Sequence, residues 1–294
     1  MGTSPIDIWV MAVRPKTLPA AMAPVIMGTG MAYGDGVHHW PSALVALLGS
    51  LTIQIGTNLV NDYYDFKKGA DRADRLGPTR VMQAGLIKPI SMLVAIIFVF
   101  TLAAIACWWL VQRGGKPIAL IGIFSILSGI FYTAGPRPIG YIGLGELFVL
   151  IFFGPVAVAG TYYVQSLEMN PAVILAGFGP GFLAAGILII NNLRDIATDT
   201  RSGKKTLAVR FGPSFAKAEY LFAIICACLI PLLVYSLMQD HLGLLFVTVT
   251  LFFAIPAIHT VYTKSDGPSL NNALAYTGKL LLMYSLIFSA GWIF

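Results

Sequence analysis

The acidic stretch that organises this chain reads Asn58-Leu-Val-Asn61-Asp62-Tyr-Tyr-Asp65-Phe-Lys-Lys-Gly-Ala-Asp71. It follows a long apolar run, which predicts that it forms the last turns of a membrane helix and the start of a loop. At about 3.6 residues per turn, Asn58 and Asp62 share one helix face, and Asp65 lies one turn beyond Asp62. Stacked carboxylates repel each other and are costly near lipid, so the pattern indicates that something positive binds between them.

A second stretch repeats this pattern and reads Asn191-Asn192-Leu-Arg194-Asp195-Ile-Ala-Thr-Asp199. Asn191, Asp195 and Asp199 are each one i, i+4 step apart, which places their oxygen-bearing side chains along one helix face. A single stripe of this kind is often a helix cap or a solvated face. Two stripes in one chain, each followed by basic residues, favour a shared site.

The composition is that of an integral membrane protein. The chain has 294 residues, a mean hydropathy of +0.79, 57% hydrophobic residues and 11% charged residues, whereas soluble domains carry roughly 25% charged residues. Long apolar runs predict helices rather than a barrel of short strands. We expect one all-α membrane domain over residues 1–294, because no polar stretch is long enough for a separate soluble domain.

The apolar runs predict nine transmembrane helices, after an interfacial helix within residues 5–16. The nine runs cover about 17–33, 41–60, 90–111, 117–133, 143–164, 171–191, 218–238, 242–263 and 273–294. Their contexts suggest two weakly repeated four-helix halves, about 17–133 and 143–263, with a ninth helix added.

The loop charges predict the orientation of the bundle. With the N-terminus in the cytoplasm, nearly all Lys and Arg residues fall in cytoplasmic segments, as the positive-inside rule requires. The net charge of +6 therefore reflects topology and not a nucleic-acid surface. Four spans separate the two acidic stretches, so both emerge on the cytoplasmic face of a multi-pass cell membrane protein. The polar loops of about 59–89 and 192–217 are predicted to cover the site between them.

The predicted ligand set is rich in oxygen. Asn58, Asp62, Asp65, Asp195 and Asp199 have no His or Cys beside them, and such donors select Mg²⁺, Mn²⁺ or Ca²⁺ over zinc or copper. Mg²⁺ usually takes one or two carboxylates and completes its shell with water and phosphate oxygens. We therefore expect Mg²⁺ ions that hold a diphosphate, with the four Asp residues as the catalytic set.

Basic and aromatic residues extend this hypothesis. Arg suits bidentate phosphate recognition, and the tract from Gly77 to Gly85 is predicted to be a turn that presents Arg80 and Gln83. Aromatic faces stabilise a carbocation left by a departing diphosphate. The candidate phosphate contacts are Arg80, Arg194, Lys204 and Arg137, and the candidate π-faces include Tyr64 and Tyr132. Glu146, at the start of the fifth run, is interpreted as a helix cap, with a buried functional acid as the alternative.

Other classes of protein remain open at this point. Paired acids within a membrane also form the coupling-ion sites of cation-coupled transporters, although those sites lie near the midplane of the bilayer and not at helix ends. A lipid-binding subunit without catalysis is a third possibility. Release of diphosphate distinguishes the enzyme from both.

At these residues the sequence resembles the UbiA superfamily of intramembrane aromatic prenyltransferases, which implies nine transmembrane helices in a bundle with a central, lipid-accessible cavity. Asn58, Asp62 and Asp65 match the first family motif, and Asp195 and Asp199 match the second. The resemblance is greatest to members that act on 1,4-dihydroxy-2-naphthoate. The matching tracts also contain Asn61, Asp71, Arg80, Gln83, Tyr141, Asn191, Asn192, Arg194 and Lys204.

This resemblance implies the reaction and its partners. A polyprenyl group would pass from polyprenyl diphosphate to the ring carbon of 1,4-dihydroxy-2-naphthoate that bears the carboxylate, with loss of CO₂ and diphosphate and with Mg²⁺ as cofactor. Phytyl transfer to the same acceptor and prenylation of another aromatic acceptor are the alternatives within the family. Some relatives have Asp where Glu146 stands, a difference that concerns the acceptor pocket rather than the metals.

Overall fold

A computed structural model describes residues 4–69, 77 and 79–294. Throughout these residues the chain is helical, and no strand occurs in them. Asp71, predicted to bind substrate, lies outside the described residues. The helices are α1 (Pro5–Val13), α2 (Leu18–Gly34), α3 (Trp40–Lys67), α4 (Pro89–Phe131), α5 (Gly145–Phe152), α6 (Pro155–Ser166), α7 (Pro171–Arg201), α8 (Leu207–Met238), α9 (Thr250–Thr263) and α10 (Gly267–Ile293). Short 3-10 helices cover Pro15–Thr17, Ile139–Tyr141 and Leu242–Val249.

α4 is two helices joined by a sharp turn. A straight helix of its 43 residues would be about 65 Å long, roughly twice the thickness of a bilayer's hydrocarbon core. Gly115 interrupts it with φ 62° and ψ −149°, a backbone conformation that is strained for residues with a side chain. The two halves then pack against each other, because a Cβ on Gly122 would lie 1.9 Å from the Cys107 Sγ atom.

Seven segments of the described chain are long and apolar enough to cross a membrane, which makes this a multi-pass membrane protein. They are Trp40–Lys67, Pro89–Phe131, Gly145–Ser166, Pro171–Arg201, Leu207–Met238, Leu242–Thr263 and Gly267–Ile293. The predicted count of nine is not confirmed. α2 has 17 residues, and Pro89–Phe131 counts once although it folds back on itself. The two four-helix halves also stay a prediction.

The acidic residues of both stretches that the structure describes belong to helices and not to loops. α3 continues to Lys67 and α7 continues to Arg201, so the predicted loops of about 59–89 and 192–217 were drawn too long. The hydrophobic run alone underestimates each helix, since burial and backbone hydrogen bonds sustain it past the last apolar residue. The carboxylates are consequently held on rigid elements.

The fifth apolar run was also drawn too simply, because it breaks into α5 and α6 at Gly154. The break packs directly on glycines of α7. A Cβ on Gly177 would lie 2.6 Å from the Pro155 Cα atom, and a Cβ on Gly181 would lie 2.4 Å from the Leu150 carbonyl oxygen. This close backbone contact fixes α5 against α7 and so places the start of α5 beside the second acidic stretch.

Candidate active site

The two acidic stretches meet at one end of the bundle. Lys204, which follows α7, places its Nζ atom 3.5 Å from the Asp65 Oδ2 atom and 3.7 Å from the Asp199 Oδ1 atom. Its side chain therefore links the carboxylates of α3 and α7. Sequence spacing predicted that both stretches emerge on one side of the membrane, and these contacts show that they share a site.

Asp65 is contacted by residues from several segments of the chain. Its Oδ1 atom accepts a hydrogen bond of 2.7 Å from the Tyr141 hydroxyl, and its Oδ2 atom lies 3.5 Å from the Arg80 Nη2 atom. Asp65 and Arg80 are both buried. Residues from α3 and from the loops on both sides of α4 thus converge on one carboxylate.

Asp62 lies deeper in the bundle and is 1% exposed. The backbone amides of Val81 and Met82 approach its carboxylate, and its Oδ1 atom has no hydrogen-bond partner within the described part of the chain. The turn that delivers these amides is closed by a 2.9 Å hydrogen bond from the Leu86 amide to the Val81 carbonyl. Residues 81–85 therefore form a turn, as predicted for this part of the tract, and Gln83 lies half-buried within it.

The asparagines of α3 are oriented by their neighbours. The Asn58 Nδ2 atom donates to the Val13 carbonyl and to the Thr17 hydroxyl, each at 2.9 Å. Because the amide nitrogen is engaged in this way, the carbonyl oxygen is the group that Asn58 can offer to a ligand. Asn61 accepts a hydrogen bond from the Thr133 hydroxyl.

Asp195 has a different environment from the one the stripe predicted. Arg194 donates to both carboxylate oxygens of Asp195, from Nε at 2.7 Å and from Nη2 at 2.6 Å. The same guanidinium contacts Asn191 at 2.7 Å and Asn271 of α10 at 2.5 Å. Arg194 is therefore a buried residue that links α7 to α10. Its guanidinium binds side chains of the protein, whereas a phosphate contact was predicted.

The ammonium groups of two lysines lie over the Tyr141 ring. The Lys68 Nζ atom lies 4.7 Å from the ring centroid, and the Lys204 Nζ atom lies 4.8 Å from it. Burial lowers the pKa of Lys68 below its usual value; the Asp65 carboxylate opposes that shift and the Lys204 ammonium adds to it. Lys68 was missed by sequence reasoning, although it follows Asp65 at helical spacing. Arg137, a predicted phosphate contact, lies exposed on the turn between α4 and α5.

An apolar cavity of about 280 Å³ opens from this acidic end into the bundle. Asn58 and Asn61 border it, and its aromatic wall consists of Tyr132, Phe148, Phe152 and Phe153. Tyr132 was predicted to line such a cavity, and it does. Tyr64 was predicted as well, but it packs edge-to-face on Tyr63 within a separate hydrophobic cluster.

Glu146 is a buried acid, as in the alternative interpretation, and the favoured interpretation as a cap was wrong. It is 7% exposed, and its Oε1 atom accepts a hydrogen bond of 2.6 Å from the Asn192 Nδ2 atom. No side chain caps the start of α5. A sequence signal existed, since a carboxylate that opens an apolar run requires a partner.

The acidic residues could hold a metal ion if water and phosphate oxygens complete its coordination shell. Within the described chain, no three His, Cys, Asp or Glu side chains group closely enough to hold an ion by themselves. Asp62, Asp65 and Asp199 are nevertheless buried oxygen donors, and Asp62 has an oxygen without a partner in those residues. One or two carboxylates completed by water and phosphate oxygens are the arrangement that Mg²⁺ usually adopts.

Comparison with known proteins places this geometry in a family. The chain is 39% identical over 293 residues to the 1,4-dihydroxy-2-naphthoate octaprenyltransferase of Escherichia coli, covering 96% of this chain and 94% of that one. It is 37% identical over 278 residues to the Mycobacterium tuberculosis protein of the same name, with coverage of 95% and 94%.

The fold is similar to that of a UbiA homolog from Archaeoglobus fulgidus whose structure holds DMAPP and Mg²⁺. The TM-score is 0.69 at 16% identity, and the match covers 96% of this chain and 99% of that one. The model of the UbiA prenyltransferase family matches residues 21–288. This chain therefore belongs to the UbiA prenyltransferase family.

Proposed function

We propose that this protein transfers a polyprenyl group from polyprenyl diphosphate to 1,4-dihydroxy-2-naphthoate, releasing CO₂ and diphosphate. The observation that carries the proposal is the junction of two environments. Buried carboxylates and cations meet at one end of the bundle, and an apolar cavity with an aromatic wall begins at Asn58 and Asn61. A prenyl diphosphate has the same division between a polyanionic head and an apolar tail.

The polar end would hold the diphosphate. Mg²⁺, bound by Asn58, Asp62, Asp65 and Asp199, would supply positive charge that stabilises the departing diphosphate. Asp195, predicted as a further ligand, has both carboxylate oxygens on Arg194 and would support the site through that pair. Lys204, Lys68 and Arg80 would add direct contacts, because ammonium and guanidinium groups donate charge-assisted hydrogen bonds to phosphate oxygens. Tyr141 would keep the two lysines in place through its ring and Asp65 through its hydroxyl.

The apolar end would protect the reacting carbon. When the carbon–oxygen bond breaks, both of its electrons leave with the diphosphate, and the ring carbon that bears the carboxylate attacks the prenyl carbon. The bond to the carboxylate then breaks and its electron pair returns to the ring, so CO₂ leaves and no ring proton has to be removed. Tyr132, Phe148 and Phe152 offer π-faces to the allylic cation and exclude water from it.

The names of the relatives support the acceptor, since both the Escherichia coli and the Mycobacterium tuberculosis proteins are described by it. The excess of Lys and Arg in the loops at this end supports a cytoplasmic site and a cytoplasmic N-terminus. Phytyl diphosphate is the alternative donor, because a phytyl chain has the same allylic head.

The test measures diphosphate and CO₂ together. Purified protein in detergent receives 1,4-dihydroxy-2-naphthoate and geranylgeranyl diphosphate under anaerobic conditions, with and without Mg²⁺. Equal and Mg²⁺-dependent release of both products is the expected result. Diphosphate without CO₂ would indicate hydrolysis or attack at another ring position, and neither product with any donor or acceptor would favour a transporter.

A further inference from the structure

Glu146 lies at the head of the apolar cavity. On α5 it shares a face with Val149 and Phe153, which follow it by about one and two helical turns. Both of these residues line the cavity. The Tyr132 ring also lines the cavity, and its hydroxyl oxygen would lie 2.9 Å from a Cβ on Gly145, the residue before Glu146. Glu146 therefore stands between the aromatic wall and α7, where Asn192 contacts it.

One carboxylate oxygen of Glu146 is unsatisfied. Its Oε1 atom is held by Asn192, whereas its Oε2 atom is buried without a hydrogen-bond partner among the residues that the structure describes. A buried carboxylate oxygen without a donor costs free energy, and a ligand that supplies a donor recovers it. The position thus indicates a binding site for a hydrogen-bond donor.

The Glu146 carboxylate itself selects the kind of donor. The Asn192 amide on α7 donates to one of its oxygens, and the Tyr132 hydroxyl after α4 lies beside the start of α5. An anionic ligand group would be repelled here, whereas a neutral hydroxyl would be accepted.

We propose that Glu146 binds the 4-hydroxyl of 1,4-dihydroxy-2-naphthoate and so selects dihydroxylated acceptors. This inference rests on the proposed function. Of the two hydroxyls, the 4-hydroxyl is the one further from the acceptor's carboxylate, so it can reach Glu146 without bringing two carboxylates together. The acceptor's carboxylate then points to the basic end near Lys68 and Lys204. That orientation presents the ring carbon bearing the carboxylate to the prenyl carbon.

The experiment compares two acceptors on two variants. Glu146→Gln keeps an oxygen for Asn192 and replaces the unsatisfied oxygen with an amide nitrogen. Glu168→Gln, an exposed acid after α6, is the matched control. The acceptors are 1,4-dihydroxy-2-naphthoate and 1-hydroxy-2-naphthoate, which lacks the 4-hydroxyl. Binding of each is measured by intrinsic fluorescence, and transfer is measured by diphosphate release.

Glu146→Gln is expected to weaken binding of the dihydroxy acceptor by about 10- to 100-fold, as for a lost hydrogen bond to a charged group. Its effect on 1-hydroxy-2-naphthoate should be less than about threefold, and KM for the prenyl diphosphate should not change. The wild type and Glu168→Gln should both prefer the dihydroxy acceptor.

An equal loss on both acceptors, or no loss on either, would overturn the inference. If Glu146→Gln does not fold, Glu146→Asp serves instead, because it keeps the charge and moves it back by one methylene; the same selective loss is required of it. A wild type that transfers no prenyl group to 1,4-dihydroxy-2-naphthoate would overturn the proposed function and this inference with it. A wild type that transfers while Glu146→Gln remains fully selective would overturn the inference alone.

Discussion

The acidic stretches of α3 and α7 both repeat oxygen-bearing side chains at helical spacing, but their surroundings differ. On α3, Asp62 has a buried oxygen without a partner in the described residues, and Asp65 is contacted by three other segments of the chain. On α7, Asp195 is paired in bidentate fashion with the neighbouring Arg194, which also contacts α10. The comparison teaches that one pattern can supply a ligand on one helix and a structural ion pair on the other.

The largest expected effect is at Asp62. Asp62→Asn keeps the shape of the side chain but removes the charge, so we expect turnover to fall by at least about 10²- to 10³-fold, as for the loss of one electrostatic stabiliser. The melting temperature should change little, because Asn keeps an oxygen that can accept from the Val81 and Met82 amides. Diphosphate release and thermal unfolding measure the two quantities. Asp240→Asn, an exposed acid after α8, is the control; near-native turnover by Asp62→Asn would refute the metal assignment.

Asp195 should behave differently, because it belongs to a buried ion pair. Asp195→Asn or Arg194→Gln leaves one unpaired charge in the bundle, a change that costs about 3–5 kcal/mol when a buried pair is broken. Both single variants should therefore lose stability as well as turnover. The double variant should lose less stability than the two single variants lose together. A double-mutant cycle measured by thermal unfolding tests this. Additive losses would show that the pair contributes nothing beyond its separate residues.

Lys68, which follows α3, should make binding of the prenyl diphosphate depend on pH. Burial lowers the pKa of Lys68, and the Lys204 ammonium adds to that shift. Lys68 therefore loses its proton at a lower pH than an ordinary lysine, whose pKa is about 10.4. KM for the prenyl diphosphate should therefore rise as the pH increases through the lowered pKa of Lys68. Lys68→Arg remains charged and should remove this rise. Identical pH profiles for the two proteins would exclude Lys68 as a phosphate contact.

The smallest effect is expected at Asp266, which caps the helix that supports Arg194. The Ser269 amide donates to the Asp266 carboxylate at 2.8 Å, and the hydrogen bonds from Ser269 lower the pKa of Asp266. Its stabilisation is present above the usual aspartate pKa of about 3.9 and is lost as the pH falls through the lowered value. Asp266→Ala should slightly lower the melting temperature at neutral pH and leave kcat/KM within about twofold. A large loss of turnover would mean that the start of α10 governs the site.

Sequence reasoning predicted much of the site because helical spacing is local. The i, i+4 steps placed Asn58 and Asp62 on one face, and the even number of spans placed the two stretches at one end. Sequence reasoning failed where a side chain has several possible partners. Arg194 turns back onto Asp195, Tyr64 packs on Tyr63, and Glu146 is buried against Asn192. None of these choices follows from spacing along one helix.

The sequence by itself determined the membrane class, the helical architecture and the positions of the acidic stretches, because hydropathy and the 3.6-residue period are properties of single segments. Only the tertiary structure decided which acids are paired, which oxygen of Glu146 is left without a partner, and which aromatic side chains line the cavity. These depend on contacts between helices far apart in the chain, where burial makes each hydrogen bond or ion pair a choice among several neighbours.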